Sequence, residues 1–239
     1  MKKYYEDEYI IIYNSDCLTT LESMPEFDVM LTDPPYPNDK RFPCKWELIN
    51  HFAELSFKVA KNDAWLVSDF SRVAIEEFLP RYAPWVYKDM LCAFVSNSMA
   101  NCAFGIDRFT PSLVFSKGDP KVFQRRSNST EVTREIFGDV KMGHPSPKYL
   151  RAYKYYIAML LPQNGLLIDP FMGSGTSMLA CKQLNRKAIG IEINEEYCKI
   201  AVKRLSQCVL PLFGTQETKV IENTSTNKKS MPLGSNKNV

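Results

Sequence analysis

Histidine is nearly missing from this chain: 239 residues hold two, His51 and His144, too few for a histidine-built metal centre. Seven cysteines (Cys17, Cys44, Cys92, Cys102, Cys181, Cys198 and Cys208) are scattered, with no pair at metal-ligand spacing. An odd, unpatterned set argues against a disulfide scaffold and for a reducing, cytoplasmic setting. No apolar run approaches the roughly 20 residues of a membrane span, so no membrane partner is expected. The early run Tyr9–Tyr13 is too short and too late for a signal segment. Net charge is also small, at +3, and by itself selects no class of partner.

The distribution of charge says more. Between Lys117 and Lys154 there are nine Lys and Arg against four acids, so one segment carries a basic excess on a slightly acidic body. Such a segment suits a polyanion. Around it the chain alternates apolar runs and amphipathic stretches. Tyr9–Tyr13, Phe27–Thr32, Ala64–Ser68, Gly165–Asp169 and Lys187–Ile191 read as buried parallel strands. Helices are expected at Leu18–Ser23, Trp46–Ala60, Arg72–Leu79, Pro147–Leu161, Ser177–Leu184 and after the capping residue Asn194. Trp85–Val95 and Ser112–Ser116 lack a helix between them and read as an antiparallel pair at the sheet edge. The expected fold is α/β and Rossmann-like, a seven-stranded, mostly parallel sheet with an antiparallel edge strand. Residues 96–110 and 117–146 read as irregular, and Pro37–Pro43 as a mobile loop. Residues 1–216 then form one domain, and the Thr-, Asn- and Lys-rich stretch Glu217–Val239 reads as a disordered tail.

Two strand ends carry chemistry. The apolar run Phe27–Leu31 ends in Thr32, Asp33, Pro34, Pro35 and Tyr36. Two prolines cannot extend a central strand, so a stiff turn presents a carboxylate, carbonyls and a ring at a strand's C-terminal end. That is where open α/β sheets bind ligands. The turn can accept hydrogen bonds from an amino group and stack on a flat ring, and an amine-bearing nucleobase offers both. The second stretch runs Asp169, Pro170, Phe171, Met172, Gly173, Ser174, Gly175, Thr176 between a strand and a helix. Its glycines permit a tight turn, and the helix start offers N–H donors to an anion. Met178 stands where a dinucleotide loop needs its third glycine, and no P-loop lysine is present. Glu192 closes the next strand, placed to accept ribose hydroxyls. Asp169 suits an ammonium group and the helix start a carboxylate. Ribose, ammonium and carboxylate together describe S-adenosylmethionine.

Taken together, these stretches resemble the β-class amino-methyltransferases of DNA, over roughly Tyr9–Leu210. Asp33-Pro34-Pro35-Tyr36 and the Asp169–Thr176 loop are similar to the family's two core motifs. Ser15-Asp16-Cys17-Leu18 resembles its cofactor-adenine motif, and His144-Pro145-Ser146-Pro147-Lys148 the motif that precedes the glycine loop. Lys187–Glu192 and Arg204-Leu205 extend the likeness toward the C-terminus. At ordinary residue usage an Asp-Pro-Pro-Tyr run arises by chance in about 1 in 1,000 chains of this length. Chain order points the same way, because the Asp-Pro-Pro-Tyr turn precedes the cofactor loop, the permuted arrangement of this class. Ser15 departs from a common Gly, and Ser146-Pro147 from a common Thr-Gln. Neither removes a group the chemistry requires, although the second leaves Lys148 without an assigned role.

The resemblance implies methyl transfer from S-adenosylmethionine, without a metal, to N6 of a flipped-out adenine in double-stranded DNA. Cytosine N4 is the runner-up, because that activity more often shows Ser at the position of Asp33. A non-catalytic DNA-binding or partner subunit on the same fold is the rival from a different class; a degenerate copy should have lost Asp33, Glu192 or the glycines. By the same resemblance Asp33 and the Pro34 carbonyl accept the amine's N–H groups, Pro35 stiffens the turn and Tyr36 stacks on the base. Asp16 would hold the cofactor adenine and Glu192 its ribose. Asp169, Phe171, Gly173, Ser174, Gly175 and Thr176 would surround the methionine end. A short target-recognition insertion within about 96–143 leaves Arg125, Arg126 and Arg134 as candidate DNA contacts, and its brevity suits a homodimer. A prokaryotic or phage-encoded enzyme acting on intracellular DNA is expected, with restriction–modification, regulatory methylation and phage self-protection as alternative roles.

Overall fold

A computed structural model describes residues 2–35, 45–70, 75–102, 105–133 and 148–207. In chain order the strands are β1 Tyr5–Glu6, β2 Ile10–Asn14, β3 Phe27–Thr32, β4 Ala60–Asp69, β5 Val86–Val95, β6 Ala100–Cys102, β7 Gly105–Asp107, β8 Phe109–Lys117, β9 Ser129–Val132, β10 Leu166–Asp169 and β11 Lys187–Glu192. The helices are α1 Cys17–Leu21, α2 Trp46–Val59, α3 Ile75–Phe78, α4 Leu150–Leu160, α5 Thr176–Gln183 and α6 Glu195–Ser206, with a 3-10 turn at Leu79–Tyr82.

One sheet organises the chain, in the order β1-β2-β11-β10-β3-β4-β8-β5-β9. The five strands from β2 to β4 are mutually parallel, and β8 runs antiparallel to both β4 and β5. The seven strands expected from the sequence are all present. Two short edge strands extend them, β1 antiparallel to β2 and β9 parallel to β5. Both lie in polar stretches whose apolar pattern is too brief to announce a strand. Residues 96–110, expected to be irregular, instead hold the β6–β7 hairpin. The expected helix at Arg72–Leu79 is seen only from Ile75, since residues 71–74 fall outside the described ones. The Pro37–Pro43 loop and the C-terminal tail also lie outside them.

Each face of the sheet is sealed by helices, as buried parallel strands require. On one side α4, α5 and α6 pack Tyr156, Ile157, Met178, Ala201 and Leu205 against Ile10, Ile12, Val29, Leu31 and Val67. On the other, α1 and α2 pack Leu21, Ile49, Phe52 and Leu55 against Phe27, Met30, Leu66, Ile168 and Ile191. Strand β10 leads through α5 to its neighbour β11, whereas β3 leads through α2 to β4 on its other side. The winding reverses between β10 and β3. In doubly wound sheets such a reversal opens a crevice at the C-terminal ends of the two strands, the place where they take ligands.

Candidate active site

Five parallel strands deliver an acid to the same edge of the sheet. Asp16 follows β2, Glu192 ends β11, Asp169 ends β10, Asp33 follows β3 and Asp69 ends β4. Each stands where an apolar run stops, because a carboxylate cannot continue a strand buried on both faces. Four of the five were legible from the sequence. Asp69 was missed, although it follows Ala64–Ser68 by the same rule.

The crevice is closed at its base by Asp169. Its Oδ1 accepts from Thr32 Oγ1 at 2.9 Å and from the Phe171 N–H at 3.1 Å, while Oδ2 accepts from Ser177 Oγ. Asp169 therefore ties β3, β10 and α5 together from a position that is 3% exposed. Burial pushes its carboxyl up to about 7, against the pull of those three donors, and the neighbouring charge of Asp33 adds to the rise. The sequence suggested an acid open to an ammonium group. The structure sets this one beneath the loop, as its anchor.

Above it the glycine loop turns twice through the left-handed region, at Gly173 (φ 52°) and Gly175 (φ 78°). Gly175 is the N-cap of α5, and a Cβ there would lie 2.7 Å from Ala201 Cβ of α6. Backbone conformation and helix packing therefore both demand glycine at this position. Arg204 holds the loop from below, with Nη1 donating to Ser174 O (2.8 Å), Ser174 Oγ (3.1 Å) and Thr176 Oγ1 (3.0 Å). All three residues are buried. Glu192 links loop and neighbouring strand: its Oε2 accepts from the Gly173 N–H at 3.0 Å and Oε1 from the Asn194 N–H at 2.8 Å. Burial raises the Glu192 pKa, and these backbone donors offset part of the rise. On the next strand, Asp16 is exposed and caps α1 by accepting from the Leu18 and Thr19 N–H groups.

On the other side of the crevice Asp33 is half-buried and paired. Lys148 Nζ lies 2.9 Å from Asp33 Oδ1 and 3.1 Å from Asp69 Oδ2, so one ammonium bridges the ends of β3 and β4. Tyr153 OH of α4 also donates to Asp69 Oδ2, at 3.0 Å, and Ser112 Oγ of β8 donates to Asp69 Oδ1. Burial acts to lower the Lys148 pKa, but the two carboxylates outweigh it and the ammonium is held. Pro34 and Pro35 follow Asp33, whereas Tyr36 falls outside the described residues, as do the residues from His144 to Pro147.

The candidate DNA contacts are not brought to this edge. Phe123 and Gln124 donate backbone N–H groups to Met159 O at the C-terminal end of α4, and the Arg126 guanidinium lies 5.1 Å from the centre of the Tyr155 ring. Arg125 and Arg126 line a groove with Trp65, Lys88, Lys121 and Met159. Helix α4, about 16 Å long, separates that groove from Lys148 at its N-terminal end. Arg134 lies outside the described residues.

Comparison with known proteins agrees with this geometry. The pattern of the DNA methylase family of N6/N4 type matches residues 27–203. The chain is 26% identical to the Type II methyltransferase M.ScaI of Streptomyces caespitosus, over 89% of this chain and 86% of the relative. Among solved structures it is similar to the M1.HpyAVI–SAM complex, with a TM-score of 0.66 and 29% identity, covering 82% of this chain and 98% of that one. It also shares its fold with the PvuII DNA methyltransferase (cytosine-N4-specific), at a TM-score of 0.73 and 20% identity, covering 85% of this chain and 88% of that one. With an acid at each parallel strand end, a glycine loop at the winding reversal and a family match over most of its length, the chain belongs to the N6/N4 DNA methylases.

Proposed function

We propose that this protein transfers a methyl group from S-adenosylmethionine to the exocyclic N6 of adenine in double-stranded DNA, with the base turned out of the helix. One observation carries the reading: Asp33 and the glycine loop follow adjacent strands at the winding reversal, and the Thr32–Asp169 hydrogen bond joins those strands at their ends.

The residues present fit the methyl donor. Asp16, Glu192 and the glycine loop follow β2, β11 and β10, which are neighbours in the sheet, and Asp33 follows the next strand, β3. Adenine, ribose, methionine end and target amine would be met in that order. Three strand spacings cover about 14 Å, the scale of a nucleoside extended by an amino acid. Glu192 keeps acceptor capacity for ribose hydroxyls beyond its two backbone donors. Phe171, Gly173, Ser174, Gly175 and Thr176 would enclose the methionine end, with Asp169 anchoring them from below. When bound, S-adenosylmethionine supplies an electrophilic methyl group on a cationic sulfur.

The chain's own residues then prepare the amine. An exocyclic amine is a poor nucleophile because its lone pair is delocalised into the ring. Asp33 and the Pro34 carbonyl would each accept one N–H, drawing the nitrogen toward tetrahedral geometry and aiming its lone pair. Pro35 fixes the turn, and Tyr36 would stack on the base. Much of the rate enhancement would come from this orientation. Asp33, where the cytosine-N4 activity more often carries Ser, supports adenine. Arg125 and Arg126 would meet only a duplex that runs on along the α4 flank. A role in DNA modification, in line with the relative named a Type II methyltransferase, fits the same reading.

Incubation of the protein with tritiated S-adenosylmethionine and unmethylated DNA, followed by nucleoside analysis, tests the proposal. Label in N6-methyl-2′-deoxyadenosine is expected. Label in N4-methyl-2′-deoxycytidine would replace the adenine reading, and absence of transfer would favour a non-catalytic subunit. Asp33→Ala should lower transfer by more than about 1,000-fold while S-adenosylmethionine still binds by calorimetry.

A further inference from the structure

The Lys148 bridge lies beside the proposed acceptor, and the sequence assigned Lys148 no part in the chemistry. Lys148 Nζ sits between Asp33 Oδ1 (2.9 Å) and Asp69 Oδ2 (3.1 Å), and its side chain is 21% exposed. Asp69 is itself fixed by Tyr153 OH and Ser112 Oγ, donors from α4 and β8. The ammonium is thus held from behind by a buried, hydrogen-bonded carboxylate and presents its remaining contact to Asp33.

The groups facing Asp33 make a cation necessary. From β4 comes the Asp69 carboxylate, and from β10 comes Asp169, whose carboxyl burial keeps protonated up to about 7. Tyr153 of α4 and Tyr82 of the 3-10 turn also lie within its electrostatic reach, and burial holds both phenols protonated. Among the described residues Lys148 is the cation that faces this cluster. Without it, carboxylates crowded into a partly buried crevice would favour a proton on one of them. A protonated Asp33 would offer an O–H where the target amine needs an acceptor.

We propose that Lys148 is a positioning residue for methyl transfer: anchored on Asp69, its ammonium keeps the Asp33 carboxylate ionised and turned to receive the N–H of the target amine. The inference rests on Asp33 being the amine's acceptor. Lys148 would touch neither the base nor the cofactor, and would act through Asp33 alone.

Single-turnover methylation measured from pH 5.5 to 9 on the full chain, with wild type, Lys148→Met, Lys148→Arg and Asp33→Ala, tests this. In Lys148→Met the acid limb should move upward by about one pH unit or more, the size of shift an adjacent opposite charge produces. Its rate at pH 6.5 should fall at least tenfold and recover as pH rises, with S-adenosylmethionine affinity within about twofold of wild type. Lys148→Arg should keep the wild-type limb. A Lys148→Met profile that is wild-type, or reduced by one factor at every pH, overturns the proposal. Should Lys148→Met prove unstable, Asp69→Asn gives the second reading, since it leaves the ammonium to Asp33 and should move the limb downward; an unmoved limb counts against the bridge. Asp33→Ala separates the two ideas. Retained turnover there defeats the acceptor reading itself, whereas an inactive Asp33→Ala beside an unshifted Lys148→Met defeats only the role of Lys148.

Discussion

Glu192 shows how one side chain can be read twice. As the acid after a short strand it is a ribose acceptor by position alone. In the fold its two oxygens also receive the Gly173 and Asn194 N–H groups, so the same carboxylate shapes the loop that would hold the rest of the cofactor. Replacing it with Gln keeps the size but weakens the charge-assisted bonds, each worth about 1.5–3 kcal/mol. Glu192→Gln should therefore weaken S-adenosylmethionine binding by about 10- to 100-fold in calorimetry. Unchanged affinity would remove Glu192 from the cofactor site. At this scale the sequence went far: Asp33, Asp169 and Glu192 were each found from the run they terminate, and Asp16 from its likeness to the family's cofactor-adenine motif. Asp69, Tyr153 and Ser112 were not. Their roles come from meeting one another, and residues more than 40 positions apart carry no local sign of that.

At the scale of elements, the glycine loop depends on helices that follow it. Gly175 lets Ala201 approach, and Arg204, a full strand and helix later, reaches back to Ser174 and Thr176. Lys182 of α5 makes a similar tie, donating to Asp7 at 2.7 Å and to Leu205 O at 3.1 Å, which joins α5 to the first hairpin and to the end of α6. Arg204→Met would leave the Ser174 carbonyl and hydroxyl buried without this donor. A loss of about 2–3 kcal/mol is expected in urea unfolding, together with weaker S-adenosylmethionine binding. A stable variant that binds the cofactor normally would show that the loop holds its shape without Arg204. In the sequence, Arg204 stood out only beside Leu205, as a stretch that extends the family likeness toward the C-terminus. Its burial depends on how α6 docks against α5, which no periodicity reveals.

Across the whole molecule, Asp169 joins three elements and leaves a mark on global stability. Unfolded, its carboxyl releases its proton near pH 4. Folded, burial holds the proton up to about 7. Between those values the folded state binds more protons than the unfolded one, so this group's contribution to stability falls as pH rises. Asp169→Asn keeps an acceptor for Thr32 and Phe171, and the Ser177 hydroxyl can rotate to accept from the amide. Relative to this variant, wild type should lose on the order of 3 kcal/mol between pH 4 and 7, read from urea unfolding at several pH values. A constant difference between the two proteins would show that Asp169 titrates alike in the folded and unfolded chain.

The alternation of apolar runs and amphipathic stretches determined the layered fold by itself, because a strand buried on both faces must be continuously apolar and a covering helix must be amphipathic. The acids at the strand ends followed for the same reason, and with the Asp33–Tyr36 turn and the glycine loop they made the family legible. The edge strands β1 and β9 and the hairpin β6–β7 did not show, since strands of two to four residues are too short to leave a pattern. Tertiary structure alone decided that Asp169 lies under the loop, that Arg125 and Arg126 sit on the far flank of α4, and that Lys148 stands between Asp33 and Asp69. Each of these depends on the order in which strands pair and on how helices seat across them. Local sequence encodes which residues must be buried, whereas the partners they meet are set by the packing of the whole chain.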